Sequence, residues 1–173
     1  MPGYIEFDDF YATTYRRVVG YVYAMIGNLA EAEDAVQEAY SRAWPRWSKL
    51  HDYADPEAWV RTVAYRAAVS SWRKATNRLR AHRLHGAPAD VPELGPEHIT
   101  LVEGLRKLNA DQRYVLVLHH LVGLSVEDIA HETGVAVGTV KSRLSRGRRA
   151  LAVELGELTG DGDSGTRKMV SDV

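Results

Sequence analysis

Leu124–Leu151 reads LSVEDIAHETGVAVGTVKSRLSRGRRAL, and this stretch decides the fold. Ser125-Val-Glu-Asp128 has the spacing of a capping box, with Asp in place of the usual Glu, and it opens a short helix over Val126–Glu132. Gly134 permits the tight turn that follows, because only glycine takes a left-handed conformation without steric cost. A second helix then runs from about Val137 to Leu155. Ala130 lets the two helices approach closely, while Val140 and Leu144 anchor the second one inward. Short helix, glycine turn and basic second helix together form a helix-turn-helix, which places its second helix in the major groove of DNA. Lys141, Ser142, Ser145 and Arg146 lie away from the Val140/Leu144 stripe and are placed to reach base edges. Arg143, Arg148 and Arg149 flank them and are placed to hold phosphates.

Two helical patterns precede this motif, over about 98–108 and 110–122. Before them, His85–Glu97 (HGAPADVPELGPE) contains three of the six prolines and two glycines, the composition of a flexible linker. Upstream, Asp55-Pro56-Glu57 combines an N-cap, a proline at the first helical position and an acid in the first turn, opening a helix to about Leu84. Two more helices are predicted, Phe7–Ile26 and Leu29–Trp44, separated by Gly27-Asn28 and ended by Pro45; Trp47–Asp55 is expected to be a loop. The tail from Gly156 has almost nothing to bury and is expected to be disordered. With no strand pattern, the chain is predicted to be all-α. It has two small helical domains, 1–84 and 98–155, joined by the linker 85–97 and followed by the tail 156–173.

Net charge is −1, yet the charges are segregated. Residues 59–85 hold seven Arg and Lys and no acid, and residues 136–151 hold five bases and no acid, inside a chain that is otherwise acidic. Local potential attracts phosphate, so two basic blocks suit a two-point polyanion binder. The 173 residues include no cysteine, which excludes disulfides and thiolate chemistry and fits a reducing compartment. No stretch is apolar enough for a membrane span, and the start MPGYIEFDDF lacks a basic signal region; a soluble, cytoplasmic protein is expected.

EAEDAVQEAYSRAW (Glu31–Trp44) followed by DPEAWVRTVAYRAAVSSWRK (Asp55–Lys74) closely resembles region 2 of sigma-70 family factors. LNADQRYVLVLHHLVGLSVEDIAHETGVAVGTVKSRLSRGRRAL resembles their region 4. With a short linker and no region 3, the order resembles the extracytoplasmic-function (ECF) group over roughly Phe7–Leu155. The resemblance implies that Glu31, Asp34, Gln37, Glu38, Ser41 and Arg42 dock on the clamp coiled coil of the largest RNA polymerase subunit. It implies that the second domain meets the polymerase flap region, and that an anti-sigma factor is a further partner. It assigns minus-10 promoter DNA to Trp47, Arg61, Arg66, Ser70, Trp72, Arg73, Lys74, Asn77 and Arg78, with Arg80 widening the basic surface. The loop Trp47–Asp55 then corresponds to the family's pocket for a flipped base. It adds Thr139 to the minus-35 readers Lys141, Ser142, Arg143, Ser145, Arg146, Arg148 and Arg149. Three departures stand out. Arg66 replaces an Asn of several relatives, Ala136 a capping Ser or Pro, and Gly147 lies inside the recognition helix at a cost of roughly 1 kcal/mol, so that a frayed helix is expected.

Catalysis has little support. The seven histidines accompany no HExxH, phosphate loop or paired-carboxylate pattern, and His119-His120 are adjacent and point to different helix faces. No cofactor, metal or catalytic residue is expected. An autonomous helix-turn-helix regulator is the alternative function, since that motif alone names none.

Overall fold

The computed structural model describes residues 6–81 and 96–160, and side chains within 6–71 and 100–156. The chain divides into two compact units, Met1–Pro92 and Glu93–Val173.

In the first unit, α1 (Phe7–Ile26) ends where Gly27 turns left-handed at φ 76°. The Asn28 side chain then caps α2 (Leu29–Ala43), accepting from the Glu31 backbone N–H at 3.1 Å. A 3-10 turn (Trp44–Arg46) and the one-turn helix α3 (Trp47–Leu50) follow. The long α4 (Pro56–Ala81) begins at Asp55, whose carboxylate accepts from the Ala58 N–H at 2.9 Å. Helix α2 packs on both α1 and α4. Its buried face, Ala32, Ala35, Val36, Ala39, Tyr40 and Ala43, is mostly alanine, and these small side chains let the neighbouring backbones come close. Tyr40 ties α2 to α1. Thr14 gives its one proton to the Phe10 carbonyl at 2.6 Å, so the Tyr40 phenol is the donor in the 2.5 Å bond between the two hydroxyls. Burial pushes that phenol up to about 12 and keeps it protonated for this role. Arg17 of α1 forms a two-pronged pair with Glu57 at the start of α4.

In the second unit, α5 (Pro96–Lys107), α6 (Ala110–Val117), a π-helical turn (Leu118–Val122), α7 (Val126–Thr133) and α8 (Val137–Gly160) surround one core. Helix α8 packs on α5, α6 and α7. Ser125 and Asp128 form the reciprocal capping box, and Gly134 ends α7 at φ 70°. Ile129, Val140 and Leu144 are buried as their spacing requires. No strand occurs among the described residues.

Four expectations are corrected. Trp47–Leu50, expected to belong to a loop over Trp47–Asp55, is helical, and Trp47 is buried against α1; residues 51–55 are not helical. Helix α5 takes in Pro96 and Glu97, the last two residues assigned to the linker; the rest of the linker, 85–95, and the expected end of α4 at about Leu84 lie outside the described residues. Helix α8 runs to Gly160, five residues past the expected end: Leu151 and Leu155 pack against Gly104 of α5 and carry the helix onward. The remainder of the tail, 161–173, is outside the described residues.

The fourth concerns Gly147. It is buried where α8 crosses α6, and an added Cβ would lie 3.0 Å from Leu116 Cδ1 and 3.3 Å from Gln112 Cβ. Glycine is there for close approach, and the helix continues through it unbroken. Substituting Gly147→Ala therefore gains helix propensity worth ~1 kcal/mol but overpacks at a cost of about 1–3 kcal/mol. The expected result is a lower thermal midpoint for the second unit. Gly138→Ala, whose new Cβ meets nothing within 4 Å, is expected to raise it. All four tryptophans lie in the first unit, so the shift should appear in circular dichroism and not in tryptophan fluorescence. A higher midpoint for Gly147→Ala would refute the packing role.

Candidate nucleic-acid and partner interfaces

On α2 the sequence positions 31, 34, 37, 38, 41 and 42 fall on one helical face, opposite the alanine stripe. Asp34, Gln37, Glu38, Ser41 and Arg42 are exposed and Glu31 is half-buried. Glu38 and Arg42 pair one turn apart, and the Ser41 hydroxyl donates to the Gln37 carbonyl at 2.9 Å. Among the described residues, the uncompensated charge of this face is therefore carried by Glu31 and Asp34, beside an internally balanced pair. Next to it opens a pocket of about 410 Å³ lined by Phe7, Tyr11, Gln37, Tyr40, Ser41 and Trp44. Sequence reasoning missed it, having singled out Trp47 and Trp72 and given Trp44 no role. Trp44 is 60% exposed, its ring edge-on to Phe7 at 4.8 Å. The signal was the aromatic pair Phe7 and Tyr11, one helical turn apart beside the end of α2.

On α4, Arg66 and Ser70 are exposed. Arg61 is not part of a basic surface: it is 1% exposed. It stands three and seven residues before Ala64 and Ala68, both buried, so helical register turns it into the same face. Trp47 is likewise removed from the surface. It is 6% exposed and stacked on Phe10 with ring centroids 4.7 Å apart, with Phe7 edge-on at 5.4 Å. The side chains of Trp72, Arg73, Lys74, Asn77, Arg78 and Arg80 lie outside the described residues, although the backbone of α4 passes through all six.

The first half of α8 exposes Thr139, Lys141, Arg146, Arg148 and Arg149, with Ser142 and Ser145 half-buried between them. Arg149 donates to the Ser145 hydroxyl at 3.4 Å. Arg143 is on the flank and is engaged: its guanidinium meets Asp111 of α6 at 2.5 Å. Ala136 offers no side-chain cap, but its carbonyl accepts from the N–H groups of Thr139 and Val140 at 2.9 and 3.1 Å, closing the first turn.

Of the adjacent histidines, His119 does structural work. His119 Nδ1 bonds the Leu124 carbonyl at 2.8 Å across the π-helical turn. Burial, and then the neighbouring His119 and Arg148, hold His120 below its usual range. Among the described residues no group of three ligands could hold a metal ion, and no helix is long and apolar enough to cross a membrane.

Residues 10–78 match the family model described as sigma-70 region 2, and residues 99–151 match sigma-70, region 4. The chain is 34% identical over 145 residues to the ECF RNA polymerase sigma factor SigL of Mycobacterium tuberculosis, covering 80% of this chain and 82% of that protein. It is 28% identical over 157 residues to the RNA polymerase sigma-E factor of Streptomyces coelicolor, covering 90% and 89%. Among solved structures, the sigma factor RpoE in complex with the anti-sigma factor NepR from Bartonella quintana superposes with a TM-score of 0.68 at 27% identity. That superposition spans 86% of this chain and 97% of the other. CnrH in complex with the cytosolic domain of CnrY shares the fold, with a TM-score of 0.56 at 22% identity over 91% and 89%.

Proposed function

Because the chain belongs to the extracytoplasmic-function (ECF) group of the sigma-70 family, RNA polymerase factors that direct transcription initiation, we propose a division of labour between its two helical units. The first unit docks on core polymerase through the exposed face of α2, Glu31, Asp34, Gln37, Glu38, Ser41 and Arg42. It then takes the minus-10 element on α4, where Arg66 and Ser70 are exposed. The second unit reads the minus-35 element with α8, Lys141 and Arg146 at base edges and Arg148 and Arg149 on phosphates. The protein has no catalytic site of its own and works in the cytoplasm, where it lends promoter choice to an enzyme that lacks it. An anti-sigma protein is a further proposed partner, supported by the relative solved with NepR.

One observation carries the proposal. A helix-turn-helix whose α8 projects Lys141, Arg146, Arg148 and Arg149, with no ion pair among the described residues, shares a chain with α2, whose projecting acids form no ion pair to another helix among the described residues. An acidic face of this kind suits a basic protein helix and repels DNA. The test is run-off transcription with purified core polymerase and the full chain. Promoter-specific transcripts are expected only when both are present. Replacing Lys141 and Arg146 by Ala is expected to remove the advantage of an intact minus-35 element over a scrambled one, each lost base contact costing roughly 1–3 kcal/mol. Equal output from the two promoters with the unaltered chain would remove α8 as the reader.

A further inference from the structure

Arg143 is the base of the α8 block that meets an acid among the described residues; Lys141, Arg146, Arg148 and Arg149 have no such ion pair there. Its partner Asp111 comes from outside the block and is held in place. Asn109 caps α6 by accepting from the Asp111 and Gln112 N–H groups at 2.8 and 3.4 Å, which fixes the first turn and aims the carboxylate at α8. Side-chain exposure is 62% for Asp111 and 28% for Arg143, so the acid faces solvent at the rim of the basic surface while the arginine lies along its flank. An exposed pair of this kind adds little to stability, roughly 0–1 kcal/mol. Its larger effect is on the potential of the face, because the carboxylate cancels one of five positive charges at contact distance and repels any phosphate that approaches Arg143.

We infer that Asp111 is a specificity-determining residue: it holds Arg143 off the phosphate backbone and so restrains sequence-independent attraction of α8 to DNA. Phosphate neutralisation strengthens binding to every sequence alike, whereas base contacts discriminate. A reader gains selectivity when one charge is withheld from the backbone. The inference rests on α8 being the DNA-facing helix.

The experiment measures binding of the full chain to a mixed-sequence duplex by fluorescence anisotropy over a range of salt concentrations. Asp111→Asn keeps the shape of the side chain and removes its charge. Affinity for the mixed-sequence duplex is expected to rise about threefold, and the slope of log affinity against log salt to steepen by about 0.9, the change for one further phosphate neutralised. The double variant D111N/R143A is expected to reverse both changes, which assigns them to the released guanidinium. Unchanged or weakened binding by Asp111→Asn, or a gain that survives in the double variant, overturns the inference. A separate arm replaces Lys141, Arg146 and Arg149 by Ala. If that variant binds as the unaltered chain does, α8 does not face DNA and the reader assignment itself falls. Weakened binding there, with Asp111→Asn silent, defeats only the role of Asp111.

Discussion

Replacing Glu31, Asp34 and Glu38 together by lysine is expected to abolish binding to core RNA polymerase while the first unit stays folded. The three side chains sit on the face of α2 turned away from α1 and α4, and among the described residues none bonds to another helix. Folding loses little: the Glu38–Arg42 pair is worth about 0.3–0.5 kcal/mol. An acid in the first turn, such as Glu31, is worth about 0.3–1 kcal/mol through the helix dipole. Binding loses far more, because three negative charges become three positive ones against a basic partner, and like-charge juxtaposition costs several kcal/mol. Co-elution of the variant with core polymerase in gel filtration is the measurement. Retained co-elution, with tryptophan fluorescence showing a folded first unit, would remove α2 from the interface.

Trp47→Ala is expected to cost about 3–5 kcal/mol of stability, a large share of the ~5–15 kcal/mol available to a small domain. Trp47 fills the space beneath Phe7 and Phe10, and its carbonyl accepts from the His51 backbone N–H at 3.0 Å. Its removal leaves a cavity where α1 meets α3. Thermal unfolding of the first unit, followed by fluorescence of the remaining tryptophans, should shift far downward. A variant of unchanged stability that opened promoters poorly would instead return Trp47 to the DNA surface.

The fate of Trp47 marks where the sequence stopped being legible. The helix-turn-helix could be read almost residue by residue because its determinants are local: a capping box within four residues, a glycine with positive φ, and anchors four residues apart at Val140 and Leu144. The α2 face was legible for the same reason, since a 3.6-residue period separates alanines from acids. What could not be read depends on packing between elements. Arg61 was counted with the basic block because charge along a sequence carries no direction, and only the register of α4 against α1 and α2 buries it. Gly147 looked like a weak point because propensity says nothing of Leu116 across the helix crossing. The Asp111–Arg143 pair joins positions 32 residues apart, beyond any local pattern.

On the proposed reading, helix α8 is both reader and core element, and the two roles are interleaved along one rod: Val140, Leu144 and Gly147 are buried among the exposed Lys141, Arg146 and Arg148. From Thr139 to Leu155 it spans about 24 Å at 1.5 Å per residue, seated at Gly147 on α6 and at Gly104 beneath Leu151 and Leu155. Side-chain volume at those two glycines sets the tilt of the rod, and tilt at the seat becomes displacement at the tip. If α8 reads the promoter as proposed, substitutions at those two glycines are expected to alter promoter preference without touching a base.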